Sequence, residues 1–155
     1  MNRETSVERR RYLLSFGSIL AVATSGCLSG NGETSGNRTK DPYGGWFVNV
    51  PAYNGTVDDT GDDHVKVKVG AGNRGRSFIP SAVEVSQGTT VTWRWTGVGG
   101  RHNVKSVDGE FKSEYSSDEG YTFSHQFDET GVYRYVCVPH RRMGMKGVIK
   151  VTDEG

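Results

Sequence analysis

The distribution of leucine most constrains what this chain can fold into. All four Leu lie in the first 28 positions, whereas 17 of the 19 Val and 14 of the 16 aromatic residues lie beyond them. A body without Leu and with three Ala is a poor candidate for a helix bundle, whereas Val and aromatic side chains fit the half-buried surface of a sheet. The body is therefore predicted to be all-β, and a doubly wound α/β enzyme fold is disfavoured.

The first 26 residues are predicted to be an export signal rather than part of the fold. Arg9 and Arg10 precede an apolar run at 12–23. This run is shorter than the ~20 residues that span a bilayer, but it matches the apolar part of a signal peptide. The arginine pair resembles a twin-arginine signal. The four residues that end at Cys27 resemble a lipoprotein cleavage box, in which Cys27 would carry the lipid; an ordinary signal with an incidental Cys is the alternative.

A lipid-bearing Cys27 and a flexible linker are predicted for residues 27–41, and a folded domain for residues 42–152. The linker is rich in Gly, Ser, Asn and Thr and shows no periodicity, so the domain would hang from the outer face of the cell membrane. Asn37 and Asn54 begin glycosylation sequons, to which we assign no function.

The charge of the exported part argues against a nucleic-acid partner. Removal of residues 1–26 takes away four Arg and two Glu, which leaves 15 basic and 16 acidic groups. The basic residues are spread along the chain rather than gathered on one stripe. We therefore expect no nucleic-acid binding.

Alternating apolar and polar residues predict half-buried antiparallel strands at 65–69 and 91–95. The period continues at 121–127 and 133–137, and the segment 148–151 closes the chain. Glycine-containing turn signals separate these segments at the spacing expected of a β-sandwich. One core between two sheets is the predicted architecture.

Several other residues have structural interpretations. Trp93 and Trp95 are predicted to lie in the core, and Trp46 to cover it near the N-terminus of the domain. His125 falls in register with apolar neighbours and is predicted to be structural, whereas His64 follows an acidic cluster and is predicted to be solvated.

The candidate chemistry lies in His102, Cys137, His140 and the two Met that follow, Met143 and Met145. Apart from the initiator these are the only Met of the chain, and both lie within eight residues of Cys137. A thiolate, two imidazoles and a distant thioether form the set that suits copper in electron transfer. Zinc would require a closer fourth ligand.

Several segments carry a resemblance to a known family. Residues 131–140 with 144–148 resemble the copper loop of the plastocyanin-like blue copper proteins, the halocyanins in particular. Residues 99–104 resemble the segment that brings the upstream histidine ligand, and residues 43–47 and 53–58 are also similar to halocyanins. The resemblance implies a cupredoxin Greek-key sandwich of two sheets with one type 1 copper ion.

The resemblance also implies the ligand set. His102, Cys137 and His140 match the equatorial ligands. Met145 matches the axial ligand, because in the family the axial Met lies two residues before the Gly that opens the last strand. Met143 is then an apolar contact beside the site.

These residues predict a mononuclear electron carrier rather than an enzyme. The inferred ligands fill the site, and a dinuclear site would need two Cys in the loop, where Cys137 stands alone. Since Cys27 is assigned to lipid and Cys137 to copper, no disulfide is expected. We also expect a monomer. A copper storage or delivery protein, and a zinc-bound or metal-free β-sandwich surface module, remain as alternatives.

The resemblance implies that electrons pass through His140, whose ring edge reaches solvent through an apolar patch. Plant plastocyanins carry an exposed aromatic just before the Cys, where Val136 stands here. Four basic residues surround the predicted site, so membrane-bound donor and acceptor proteins with acidic docking surfaces are the expected partners. The four basic residues are Arg101, Arg141, Arg142 and Lys146. The resemblance further implies a salt-loving archaeon, although the nearly neutral charge is atypical of such an organism.

Overall fold

The strands of the domain follow the alternation seen in the sequence. The computed structural model describes residues 41–153. The predicted signal at 1–26, Cys27 and the linker before residue 41 lie outside the described residues. The predictions made for them, including the sequon at Asn37, stay predictions.

Nine strands and two short 3-10 helices make up the regular structure of residues 41–153. The strands are β1 (Val57–Asp58), β2 (His64–Ala71), β3 (Ser77–Ile79), β4 (Ala82–Ser86), β5 (Thr90–Trp95), β6 (Lys105–Ser106), β7 (Thr122–Gln126), β8 (Gly131–Val136) and β9 (Lys146–Thr152). The 3-10 helices span Asn73–Gly75 and Val138–Met143. No helix among the described residues has the length and apolar character needed to cross a membrane.

The strands form two sheets, as predicted. One has five strands in the order β1-β4-β9-β8-β6, and the other has four in the order β3-β2-β5-β7. Both are mixed sheets. The pairs β1-β4, β4-β9 and β2-β5 are parallel, and the other pairs are antiparallel.

The prediction that 65–69 and 91–95 are antiparallel strands was therefore wrong in one respect. Each has an antiparallel neighbour, but β2 and β5 pair with each other in parallel, with Val65 opposite Val91. The chain between them contains β3, which turns back along β2, and β4, which joins the other sheet. Parallel neighbours require a crossover connection, and the segment with β3 and β4 provides it, so that β5 runs in the same direction as β2.

The core lies between the two sheets and is built from Val and aromatic side chains. Trp93 and Trp95 of β5 are almost wholly buried, which confirms their predicted place. Trp93 packs edge-on against Tyr135 of β8, in the opposite sheet, with ring centroids 5.4 Å apart. The same core cluster extends to Cys137 and Met145, so the candidate metal ligands lie at one end of the core.

Residues 41–56, which we call the N-terminal strap, precede the first strand and carry a second apolar cluster. Tyr43, Phe47 and Val50 are buried there against Ala82 and Val148, and Trp46 and Tyr53 pack beside them. Because Ala82 opens β4 and Val148 lies in β9, the strap covers the outer side of the five-stranded sheet. The predicted covering role of Trp46 agrees with this position.

Candidate metal centre

Three of the four predicted ligands come from one loop between β8 and β9, residues 137–145, which we call the ligand loop. The two strands pair up to Val136 opposite Lys146, so both ends of the loop are held at the sheet. The 3-10 helix Val138–Met143 turns the chain back. Gly144 then closes the turn with a φ of 85°, a left-handed conformation that glycine adopts without strain.

Backbone hydrogen bonds join the three loop ligands to one another. The Cys137 N–H donates to the Met145 carbonyl oxygen at 3.1 Å, and the Met145 N–H donates to the His140 carbonyl oxygen at 3.2 Å. The His140 N–H donates to the Cys137 carbonyl oxygen, also at 3.2 Å. The spacing of these three residues is therefore fixed by the chain itself, before any ion binds.

The fourth ligand, His102, comes from the connection between β5 and β6. Its backbone pairs in both directions with Ser116, with N···O distances of 2.9 and 3.0 Å. The indole Nε1–H of Trp95 donates to its carbonyl oxygen at 3.3 Å. His102 is only 1% exposed, so these contacts hold its ring at the buried side of the site.

The ligand atoms of His102, Cys137 and His140 converge. Cys137 Sγ lies 3.7 Å from His102 Nδ1 and 3.5 Å from His140 Nδ1, and the two Nδ1 atoms are 3.1 Å apart. One ion with bonds of about 2.0–2.3 Å to three such atoms separates each pair by roughly 3.1–3.8 Å, for bond angles of about 100° to 120° at the ion. The three residues thus fit a single trigonal metal ion.

A hydrogen bond at one ring nitrogen of His102 determines which of its two nitrogens can bind metal. Nε2 lies 2.8 Å from the Val98 carbonyl oxygen, to which it donates, so Nδ1 is left as the acceptor that faces Cys137. Gly70 makes room for this bond, because a Cβ there would lie 2.5 Å from the Val98 oxygen. Burial lowers the pKa of His102, the Val98 hydrogen bond opposes this, and Arg76 lowers it further. A neutral imidazole, the form that binds metal, is favoured.

Asn103 links the two segments that carry His102 and Cys137. Its side-chain Oδ1 accepts the Val138 N–H at 2.9 Å. Burial raises the pKa of the Cys137 thiol, and the backbone amides of Asn103 and His140 partly lower it. Metal binding would remove the thiol proton outright. Sequence analysis missed Asn103; its only signal was its place next to a ligand histidine.

His140 lies at the solvent side of the site. It is partly exposed, and the exposed side chains of Val138 and Met143 belong to the same 3-10 helix. Burial lowers the pKa of His140, and the charges of His102 and Arg76 lower it further. His140 is therefore the ligand through which the site meets the surface.

The two Met of the ligand loop differ sharply in burial. Met145 is 0% exposed and belongs to the core cluster with Cys137. Met143 is 54% exposed, and its Sδ lies 3.2 Å from Arg76 Nη1, away from the core. With Met145 the four residues are positioned as a type 1 copper site, and Met143 lies at its rim. A thioether is a poor fourth ligand for zinc, so the donor set favours copper.

The other predicted residues lie away from this cluster. His125 contacts Phe111 and Phe127, with ring centroids 5.0 and 4.8 Å apart, in keeping with a structural role. His64 is exposed at the start of β2, and Asn54 is exposed in the strap. Among residues 41–153, the trio of His102, Cys137 and His140 is the one metal-ligand cluster of His, Cys, Asp or Glu that we find.

Comparison with known proteins gives concordant matches. The family model of copper binding proteins, plastocyanin/azurin family, matches residues 64–152. Halocyanin from Natronomonas pharaonis is 45% identical over 162 aligned positions, which cover 94% of this chain and 98% of that protein. Plastocyanin from Scenedesmus fuscus is 37% identical over 97 positions, covering 56% of this chain and 98% of that protein. The oxidized plastocyanin structure from Dryopteris crassirhizoma has a TM-score of 0.46 and 26% identity, with 57% of this chain and 100% of that chain covered.

Proposed function

The chain belongs to the plastocyanin/azurin family of copper binding proteins, and we propose that it is a mononuclear blue copper electron carrier. The convergence of His102 Nδ1, Cys137 Sγ and His140 Nδ1 at one end of a β-sandwich core carries the proposal. Copper supplies one-electron chemistry when it is bound by such a set. The proposed role is a carrier rather than an enzyme, because the ligand set leaves no position for a substrate.

The protein's own contribution is to hold the ligands still. The ligand loop is anchored by two paired strands and by backbone bonds among its ligands. His102 is held by Ser116, Trp95 and Val98. A site that is fixed in one geometry keeps structural rearrangement small when an electron arrives or leaves. This property suits a carrier better than a storage or delivery protein, which must release its metal.

Addition of copper(II) to the copper-free protein tests the proposal. We expect one ion per chain, an intense blue thiolate-to-copper absorption, and repeated reduction and oxidation without loss of metal. A blue product that transfers copper readily to a chelator would favour storage or delivery. A colourless product would favour a non-redox surface module and contradict the proposal.

Electrons are proposed to enter and leave at His140. It is the partly exposed ligand, and exposed apolar side chains lie beside it, with Val138 at 44% and Met143 at 54% exposure. Val136, which precedes the cysteine, is aliphatic and only 5% exposed, so this position offers no exposed aromatic side chain. The His140 edge is therefore the proposed route for both donor and acceptor.

The proposed partners are membrane-bound donor and acceptor proteins that present carboxylates around the contact. Arg101, Arg141 and Arg142 are exposed at the end of the domain that carries the ligands, and Lys146 is half-buried there.

Replacement of both Arg141 and Arg142 by Glu is expected to slow reduction by membrane fractions about tenfold at low salt, because steering charges act on association. The difference should fade as salt rises, since screening shortens the reach of charges to ~10 Å at 0.1 M.

The matched control reverses charge at the other end of the domain. Asp128 and Asp153 lie near Gln87 and Gly88, away from the ligands, and both can be changed to Lys. That double variant should be reduced at a rate close to that of the parent protein. An unchanged rate for the Arg141 and Arg142 variant at low salt would exclude electrostatic docking at this end.

The axial assignment predicts different effects for the two Met. Met145→Leu should raise the reduction potential and alter the copper spectrum, because loss of the weak axial donor disfavours copper(II). An increase of about 59 mV corresponds to a tenfold change in the ratio of reduced to oxidised protein. Met143→Leu, at the exposed rim, should leave both nearly unchanged. Spectra and voltammetry of the two variants decide, and the reverse pattern would make Met143 the axial ligand.

The location of the carrier is also a proposal, supported by the N-terminal sequence. Export by a twin-arginine route and lipid on Cys27 would hold the domain at the outer face of the cell membrane, on a linker that ends before Asp41. One lipid chain binds weakly, so firm attachment calls for a second chain. Mass spectrometry of the membrane fraction tests this, since a mature N-terminus without lipid on Cys27 would contradict it.

A further inference from the structure

The N-terminal strap meets the ligand loop at an overhang of β9. β4 begins with Ala82 opposite Val148, so Lys146 and Gly147 extend past the end of β4. Trp46 of the strap fills this place. Its indole Nε1–H donates to the Gly147 carbonyl oxygen at 3.1 Å, across 101 positions of sequence. The strap thus supplies a hydrogen bond to a stretch of β9 that β4 does not reach.

Lys146 strengthens the same junction. Its Nζ donates to the Trp46 carbonyl oxygen at 3.4 Å and lies 5.1 Å from the centroid of the Trp46 ring. An ammonium group over the face of an indole is attracted by the ring electrons. Trp46 is therefore held by the residue directly after Met145 and by the one after that.

A second contact lies on the other side of Met145. A Cβ on Gly144 would lie 2.7 Å from the Asn49 carbonyl oxygen, so the strap backbone passes directly over this glycine. Asn49 itself has a φ of 64°, a conformation that asparagine tolerates better than most residues. The strap thus touches the chain at Gly144 and at Gly147, on both sides of the axial ligand.

The strap has its own anchors away from the ligand loop. The Asp41 carboxylate accepts the N–H groups of Tyr43 and Phe47 at 2.9 and 2.8 Å. Phe47 also stacks on Tyr53 with ring centroids 4.1 Å apart. The strap is fixed to the five-stranded sheet by burial of its apolar side chains against Ala82 and Val148, and Arg134 Nη2 of β8 donates to the Tyr43 carbonyl oxygen at 3.3 Å. A segment fixed in this way can restrain the loop it touches rather than follow it.

We propose that the N-terminal strap is a brace for the axial side of the metal centre, and that Trp46 is the positioning residue that restrains Met145. A weak axial bond cannot itself set the place of a thioether, so the backbone on either side must do so. The effect on copper rests on the proposed function. The restraint on the loop does not, because its contacts exist in the chain without metal.

Hydrogen exchange in the copper-free full chain tests the restraint. Trp46→Phe keeps an aromatic ring but removes the N–H that reaches Gly147. We expect the amides of Cys137 and Met145, which close the ligand loop, to exchange about fivefold faster, as loss of one ordinary hydrogen bond implies. Thr56→Val is the matched control, since it removes a strap hydrogen bond away from the loop. It should leave these amides unchanged.

The copper-loaded chain provides a readout that a purely structural role would not move. Trp46→Phe is expected to shift the intensity ratio of the thiolate-to-copper bands and the reduction potential, whereas Thr56→Val should shift neither. Lys146→Met, which removes the ammonium but keeps the Trp46 bond to Gly147, is a second variant with the same expected pattern if Trp46→Phe fails to fold.

Each result decides between the parts of the proposal. Unchanged exchange in both Trp46→Phe and Lys146→Met would overturn the brace, whether or not copper binds. Faster exchange with unchanged spectra and potential would overturn the positioning role of Trp46. Faster exchange in a chain that binds no copper would retain the restraint and reject the proposed function alone.

Discussion

Replacement of Cys137 by Ala is expected to abolish the blue absorption and to weaken copper binding by at least about a hundredfold, beyond the 10–100-fold that outer-shell changes typically cause. The intense band requires a thiolate bound to copper, and Cys137 is the one cysteine of residues 41–153. Its Sγ lies within 3.7 Å of both histidine nitrogens, so no other side chain can take its place. Absorption spectra and copper titrations measure both effects.

The control for this prediction is a histidine that the structure places outside the cluster. His125 of β7 contacts the rings of Phe111 and Phe127. His125→Gln should therefore keep the blue band and the affinity for copper. A blue band that survives in Cys137→Ala, or one that disappears in His125→Gln, would contradict the assigned site.

The local parts of the site could be predicted from sequence because they are close in the chain. Cys137, His140 and the two Met lie on one loop, where their clustering suggests a shared ion, and the family resemblance selected Met145 over Met143. His102 is 35 positions upstream of Cys137; donor chemistry made it a candidate, and its assignment as a ligand depended on the family resemblance. The bonds from Asn103 to Val138 and from Trp46 to Gly147 link distant segments, and no sequence pattern indicates them.

The same distinction applies to the fold. The alternation in β2 and β5 reports which side chains face the core, and it was confirmed for both strands. It does not report which strand lies alongside, since that depends on the path of β3 and β4 between them. The prediction that both strands are antiparallel therefore failed for their pairing with each other, although the inward-facing residues were predicted correctly.

Gly147→Ala is expected to destabilise the fold by about 3 kcal/mol or more, the upper end of the usual cost of overpacking a core. Gly147 lies opposite Tyr135 in the β8-β9 pair, and the Tyr135 ring covers it so closely that a Cβ would overlap the ring. The ring cannot move aside, because it is fully buried against Phe78 and Trp93, with centroids 4.8 and 5.4 Å away. Urea unfolding of the copper-free chain measures the loss.

A double-mutant cycle distinguishes this clash from a destabilisation that any side chain at position 147 would cause. Tyr135→Val opens space over Gly147, so Gly147→Ala should cost far less in that background. Tyr135→Phe leaves the overlapping ring carbons and should not relieve the clash. Its own cost should be small, because the Tyr135 hydroxyl is buried without a hydrogen-bond partner among the described residues. Equal costs of Gly147→Ala in the parent chain and in the Tyr135→Val background would contradict the clash. A cost of Gly147→Ala that is large in the parent chain and small in the Tyr135→Val background would confirm the clash. Gly147 would then be the residue that lets β9 pack under the Tyr135 ring and also accept the Trp46 hydrogen bond beside the axial ligand.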